Sequence, residues 1–316
     1  EIAEQLVVMA EETQEEDFLV AAHRAIAGPL VYRGEYATAM PHLDKVLAIP
    51  ASAEVRSRVN RYDVVDPWIA AGSYRSWALW LTGYPQQALE QSEKTLREAE
   101  SLKHPFTVTL ALSFSTWLHQ FHRDIERTLA AASRALELAE EHGFQFWVGW
   151  GKVLKHWALG ISGQDSSACE SIRQGIVAWR AQGSELGAAY FYGMQAEVAL
   201  VQGRPNEALA ALTQADDFAR SSGEGFPVPD LFRLRGLAME QSDETAAESL
   251  YRKAMEQARS QNSRSLELRA VVQLARLLTR TGRNGEAQTL LSEGIDRFPE
   301  GQSTRDLSVA KELLKG

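Results

Sequence analysis

Two histidines three residues apart, His119 and His122, with Asp124 just beyond them, are the nearest thing in this sequence to a metal site. A structural or catalytic zinc takes three or four protein ligands. No further His or Cys lies nearby in sequence, so the trio reads as helix-end residues that cap or face solvent, and no metal is expected. Cys169, the one cysteine, would need a positioned histidine to act as a nucleophile. None can be assigned, and its place after Ala168 in a helical stretch predicts a buried, inert thiol. A single cysteine also excludes an intrachain disulfide and fits a reducing, cytoplasmic setting. The acidic run Glu11, Glu12, Glu15, Glu16 and Asp17 has the groups for acid–base work or cation binding, but such runs are ordinarily solvated faces. No phosphate loop of the form G-x-x-x-x-G-K-[ST], no G-x-S-x-G elbow, no H-E-x-x-H, no C-x-x-C and no G-x-G-x-x-G occurs. The expectation is a chain with no catalytic residue, no cofactor and no enzymatic activity of its own.

What recurs instead is a line of aromatic rings. Counting six and three residues back from Gly83 gives Trp77 and Trp80, and six back from Gly163 gives Trp157. The same count before Arg123 gives Trp117 and Gln120, and Trp150 and Tyr190 stand one or two helical turns nearer the start of their helices. Towards the C-terminal end the equivalent face carries Arg233, Arg269 and Arg276. Rings at one end of a groove and guanidinium groups at the other suit an extended peptide with apolar and acidic side chains, and aromatic and Arg side chains dominate binding hot spots. The competing expectations are that the rings pack between helices and that the arginines serve neighbouring carboxylates, as Arg269 could serve Glu267 or Glu293.

The elements that must position these residues follow from a repeat. A turn Gly followed five residues later by Ala occurs at Gly34/Ala39, Gly83/Ala88, Gly163/Ala168, Gly203/Ala208 and Gly282/Ala287. Ser242/Ala247 is a degraded copy, and Arg123-Asp124 stands where one more Gly would fall. The steps from 83 through 123, 163, 203, 242 and 282 are 40, 40, 40, 39 and 40 residues. After each turn comes an amphipathic stripe such as Ala208, Leu209, Leu212 and Ala215; before it comes a more aromatic helix, as in 144–160 and 186–201. Small residues near the end of that first helix (Ala27, Ser76, Thr116, Ala196, Gly236 and Ala275) mark where two backbones approach closely. A helix–turn–helix unit of this length cannot bury its face alone, so units stack. The fold class expected is all-α: a right-handed α-solenoid of about seven helix–turn–helix repeats, open along its groove. A single superhelical domain spans 1–316, with N-terminal repeats in 1–49, an irregular loop at 50–66, the regular repeats in 67–302 and a capping helix in 303–316 whose N-cap is Ser303 or Thr304.

Composition agrees. The chain has 316 residues, 45% hydrophobic and 24% charged, enough to bury a large core. Lys plus Arg is 33 against 42 for Asp plus Glu, a net charge of −9, so a nucleic-acid surface is not expected. No apolar run approaches the roughly 20 residues that cross a bilayer. The sequence opens at Glu1 without Met, which reads as a segment of a longer protein.

The Gly-x-x-x-x-Ala turn between paired helices, with a small residue near the opposing interface, resembles the tetratricopeptide repeat, with longer helices than usual. YDVVDPWIAAGSYRSWALWLTGYPQQAL at 62–89, HPFTVTLAL at 104–112, EHGFQFWVGWGKVLKHWAL at 141–159 and AWRAQGSELGAAYF at 178–191 look more specifically like the C-terminal repeat region of large bacterial signalling ATPases. The pattern departs from the usual one at Arg123-Asp124, at Trp68 and at His156. The resemblance implies a preceding ATPase domain, with a cyclase or DNA-binding domain before it, and for this chain an interaction or sensor module that binds a protein or peptide, or domains of its own full-length chain, in the groove. A small-molecule or sugar-sensing superhelix of a transcriptional regulator is the second reading, since Trp faces stack well on sugars. An α/α-toroid hydrolase is the third, and it would need two carboxylates about 5–10 Å apart across a closed barrel.

Overall fold

A computed structural model describes residues 2–61, 63–300 and 304–315. Tyr62, which opens the first of the longer motifs, and Ser303, one of the two expected caps, lie outside the described residues. Those described are 80% helical and contain no strand.

The helices are α1 (Ile2–Thr13), α2 (Glu16–Arg33), α3 (Tyr36–Ala48), α4 (Ala53–Val59), α5 (Pro67–Leu81), α6 (Pro85–Ser101), α7 (Pro105–Phe121), α8 (Ile125–Glu141) and α9 (Gln145–Ile161). They continue as α10 (Ala168–Arg180), α11 (Ala188–Val201), α12 (Pro205–Ser222), α13 (Val228–Met239), α14 (Glu244–Ser260), α15 (Arg264–Arg280), α16 (Asn284–Asp296) and α17 (Arg305–Lys315). Antiparallel pairs stack in sequence order. Residues 50–66 are not wholly irregular, because α4 forms there, opened by Ser52, whose hydroxyl accepts from Val55 N. At the far end Thr304 Oγ1 accepts from Leu307 N at 3.1 Å and starts α17.

The repeat is realised as one backbone device. At six of the seven turns that carry the repeat an amide reaches back five residues: Glu35 to Leu30, Tyr84 to Leu79, Asp124 to His119, Gln164 to Leu159, Arg204 to Ala199 and Arg283 to Leu278. This is the helix-ending motif that needs a left-handed residue in its corner. Glycine supplies it at five of them, but at the third Arg123 holds φ 60°. At the degraded copy the reach is only four residues, from Asp243 to Met239. The small residues at the interfaces are all buried: Ala27, Ser76, Thr116, Ala196, Gly236 and Ala275. Gly149 permits another close approach, since a Cβ there would lie 2.7 Å from the Trp179 backbone nitrogen on α10.

The stack does not remain open. The amides of Gly225 and Phe226 both donate to the Tyr32 carbonyl at the end of α2. Ser263 and Ser265 hydroxyls donate to the Leu81 and Trp80 carbonyls, 182 and 185 residues earlier, and Glu300 accepts from Gln86 N. As the chain advances its partner advances with it, so these contacts join successive turns of one superhelix. The expected open groove is therefore corrected: the turn is tight enough for the inner faces to meet. Gly225 permits part of that meeting, because a Cβ would fall 2.1 Å from the Arg33 carbonyl oxygen.

Candidate functional site: an arginine-lined pocket beside a ring-filled interior

The helices α5, α7, α9 and α11 bring the aromatic line to the inside of the superhelix, where the rings touch other rings except at Trp157, which lies under Arg123. Trp77, Trp80, Trp117, Trp150, Trp157 and Tyr190 are between 0% and 6% exposed. Trp77 stacks on Phe114 with centroids 4.4 Å apart, Trp117 lies 4.5 Å from Trp77 and 4.6 Å from Trp150, and Tyr190 stacks on Trp117 at 4.9 Å. Phe226, one superhelical turn on, meets both Trp117 and Tyr190. The polar handles are mostly used internally: Trp77 Nε1 donates to the Phe114 carbonyl at 3.0 Å, Trp150 Nε1 to the Ser113 carbonyl at 3.2 Å, and the Tyr190 hydroxyl to Gln120. None of the six rings presents the accessible face that stacking on a ligand needs. The side chains expected to line the aromatic half of a groove fill it.

The basic half is different. A concavity of about 410 Å³ opens on the inner side between α7, α9, α11, α13, α15 and α17. Five arginines line it: Arg123, Arg233, Arg269, Arg276 and Arg305. Glu197 and Asp306 are its two carboxylates, and Gln273 with aliphatic side chains such as Ile161, Leu200, Val201, Leu237, Val272 and Val309 forms the remainder. For a chain with net charge −9, this is a local reversal of sign.

Glu197 organises the floor. It accepts from Arg123 Nη1 at 2.5 Å and from Trp157 Nε1 at 2.9 Å, with Arg233 Nη2 at 3.7 Å. Burial alone would raise its carboxyl, but Arg123 and Arg233 outweigh burial and hold it below the ordinary glutamate value. Arg233 is bound in a fork to Asp230, at 2.6 and 3.1 Å. Burial opposes that carboxylate too, and Arg233 overrides it. Arg269 lies over the Trp80 ring at 4.7 Å, donates through Nε to Asp306 at 2.9 Å and through Nη2 to the Phe121 carbonyl. Arg276 is exposed, as is Arg305. Arg233, Arg269 and Arg276 thus come together as the spacing implied. Arg269 is held by Asp306, not by Glu267 or Glu293; Glu267 instead accepts from Arg259 and Arg297.

Arg123, Glu197 and Arg305 were not among the residues singled out from sequence. Arg123 carried a signal, as the one Arg in a position held by Gly in five of the seven copies. Its left-handed backbone is uncommon for a residue with a side chain, and such strain gathers at functional sites. Glu197 had no visible mark, because its role depends on α7 and α13 converging on α11.

The remaining candidates are structural. His119 and His122 are both largely buried, and burial pushes His122 down to about 4. Among the described residues no three His, Cys, Asp or Glu side chains are placed to hold a metal ion. Cys169 is buried and its thiol is pushed up to about 11 by burial. Glu11, Glu12, Glu15 and Glu16 are exposed, with Glu11 paired to Lys45, whereas Asp17 is buried near Arg58 at 3.4 Å. Trp68 donates to the Ile49 carbonyl at 2.8 Å beneath Arg56, and His156 Nδ1 bonds Asp165 at 2.9 Å, so both departures from the repeat pattern have local partners.

No family model and no curated protein sequence matches the chain. Solved structures do. The NprR protein in complex with its cognate peptide NprX superposes with a TM-score of 0.59 at 16% identity, over 90% of this chain and 82% of that one. A Rap protein complexed with Competence and Sporulation Factor gives 0.55 at 11% identity, over 94% and 96%. A monomeric mutant of IFIT1 with Gppp-AAAA gives 0.52 at 14% identity, over 93% and 72%. This chain shares their fold, an all-helical solenoid of tetratricopeptide-like repeats. Among the described residues no helix is long and apolar enough to cross a membrane.

Proposed function

We propose that this chain is a non-enzymatic interaction module that binds a protein or peptide partner at the inner side of its superhelix, and that it serves as the sensor region of a cytoplasmic bacterial signalling ATPase. The observation that carries the reading is the arginine-lined pocket, an accessible concavity lined by guanidinium groups and aliphatic side chains on the face that the repeats turn inward. The likeness to NprR and Rap, solved with a peptide and with Competence and Sporulation Factor, supports a peptide as the ligand class. The motifs at 62–89 and 141–159 support the ATPase setting. Binding at the seam between α7–α11 and α13–α17 would bias how two superhelical turns meet, which is a route by which occupancy reaches an attached domain.

Selection of random heptapeptides on the immobilised chain tests the binding reading. The expected result is a recurrent acidic or free-carboxylate motif whose synthetic peptide binds with micromolar affinity by calorimetry. Enrichment no greater than on an unrelated helical solenoid would refute it. The ATPase setting is tested by the reading frame upstream, which should encode G-x-x-x-x-G-K-[ST].

A further inference from the structure

Arg269 is 4% exposed, and with Nε given to Asp306 and Nη2 to the Phe121 carbonyl its Nη1 still has no hydrogen-bond partner among the described residues. A buried donor on a charged group is costly to leave unmatched. Arg269 forms part of the pocket wall, and two further guanidinium groups line the same space. Arg276 stands seven residues further along α15 on the same helix face, and Arg305 opens α17. Both are exposed, and neither has an ion pair or hydrogen bond among the described residues. The carboxylates of the pocket are already committed, Glu197 to Arg123 and Trp157, Asp306 to Arg269. What the pocket still offers is cationic hydrogen-bond donors interleaved with aliphatic surface, of which Val201 is 57% exposed.

We infer that this pocket binds an oxyanion, a carboxylate or a phosphate group, between Arg276 and Arg305 and beside the buried Arg269 guanidinium, with the apolar body that bears the anion lying on Leu200, Val201, Leu237 and Val309. Guanidinium forks match both anions in geometry and charge. The inference deepens the peptide reading and rests on it in one respect only: there the anion is the peptide's own carboxylate, whereas a free phosphate would use the same donors. An acidic or free C-terminal group next to a leucine-like side chain suits both kinds of lining at once.

Calorimetric titration of the whole chain at constant ionic strength separates these sources, using N-acetyl-leucyl-leucine as the free acid, the same dipeptide as its C-terminal amide, and inorganic phosphate. Arg276→Gln and Arg305→Gln, singly and together, alter exposed side chains without a partner among the described residues, so folding is kept, and Arg97→Gln on the outside of α6 controls for net charge. Wild-type protein is expected to bind the acid about tenfold or more tightly than the amide, and the double variant to lose about tenfold or more in affinity for the acid and for phosphate, with Arg97→Gln unchanged. If phosphate binds and is lost in the double variant while acid and amide bind alike, the oxyanion site stands and the peptide reading falls. If neither anion binds the wild type at millimolar concentration, or the double variant binds both as the wild type does, the inference is overturned.

Discussion

Replacing Trp117 by Ala decides whether the interior is a packed core. The ring is wholly buried, and its centroid lies 4.5 Å from Trp77, 4.6 Å from Trp150, 4.9 Å from Tyr190, 5.2 Å from Phe191, 6.0 Å from Phe226 and 6.3 Å from Phe121. Large-to-Ala changes of this kind cost about 3–5 kcal/mol, and the upper end is expected because the neighbours belong to several separate helices and cannot collapse together into the void. The loss is a large share of a total stability of about 5–15 kcal/mol. Trp117→Phe should cost far less, about 1–2 kcal/mol, because Trp117 Nε1 has no acceptor among the described residues and its removal leaves nothing unmatched. Urea unfolding followed by circular dichroism measures both. Hydrogen exchange locates the damage. In a solenoid held only by adjacent repeats it would stay within α5–α9, but here Trp117 touches Phe226, whose amide bonds the Tyr32 carbonyl. Exchange should therefore rise at 224–226 and at the end of α2 as well. A loss below about 1 kcal/mol for Trp117→Ala would refute the packed interior. Exchange confined to α5–α9 would refute the coupling between turns.

Two further expectations concern buried charge. Glu224, at the seam, accepts from Gly187 N, and burial raises its carboxyl from 4.5 to about 7. Since the folded value lies above the unfolded one, its contribution is complete below about pH 4.5 and is lost as pH rises through 7. Glu224→Gln should therefore gain on wild type between pH 5 and 8 by at most about 3 kcal/mol, and a gap in unfolding free energy that does not change with pH would contradict the assignment. Arg123→Gly relieves about 1–2 kcal/mol of left-handed backbone cost but strips a nearly buried partner from Glu197, a change that costs about 3–5 kcal/mol. The single variant should be less stable by about 2 kcal/mol, and adding Glu197→Gln should restore most of that loss; a double variant as unstable as the single one would show that Arg123 stabilises by some other means.

The architecture was legible because it is local. A left-handed corner every 40 residues, an amphipathic stripe after it and small residues at fixed offsets each reflect backbone geometry within one unit or its neighbour, so sequence spacing reports them directly. The same spacing placed Trp77, Trp117, Trp157 and Arg269 on the inner face. It could not say whether that face meets solvent, a ligand or another part of the chain, for that depends on superhelical pitch, the sum of small rotations over many units. Only the tertiary structure brings Phe226 against Trp117 and Ser265 to the Trp80 carbonyl, 185 residues apart. Pitch also converts Arg269 from a presumed partner of Glu267 into a buried staple between Phe121 and Asp306. And it gathers Arg123, Arg233, Arg276 and Arg305, from four separate segments, around one pocket in a chain whose net charge is negative. Charge reads from composition as a total; where it concentrates is set by which helices converge.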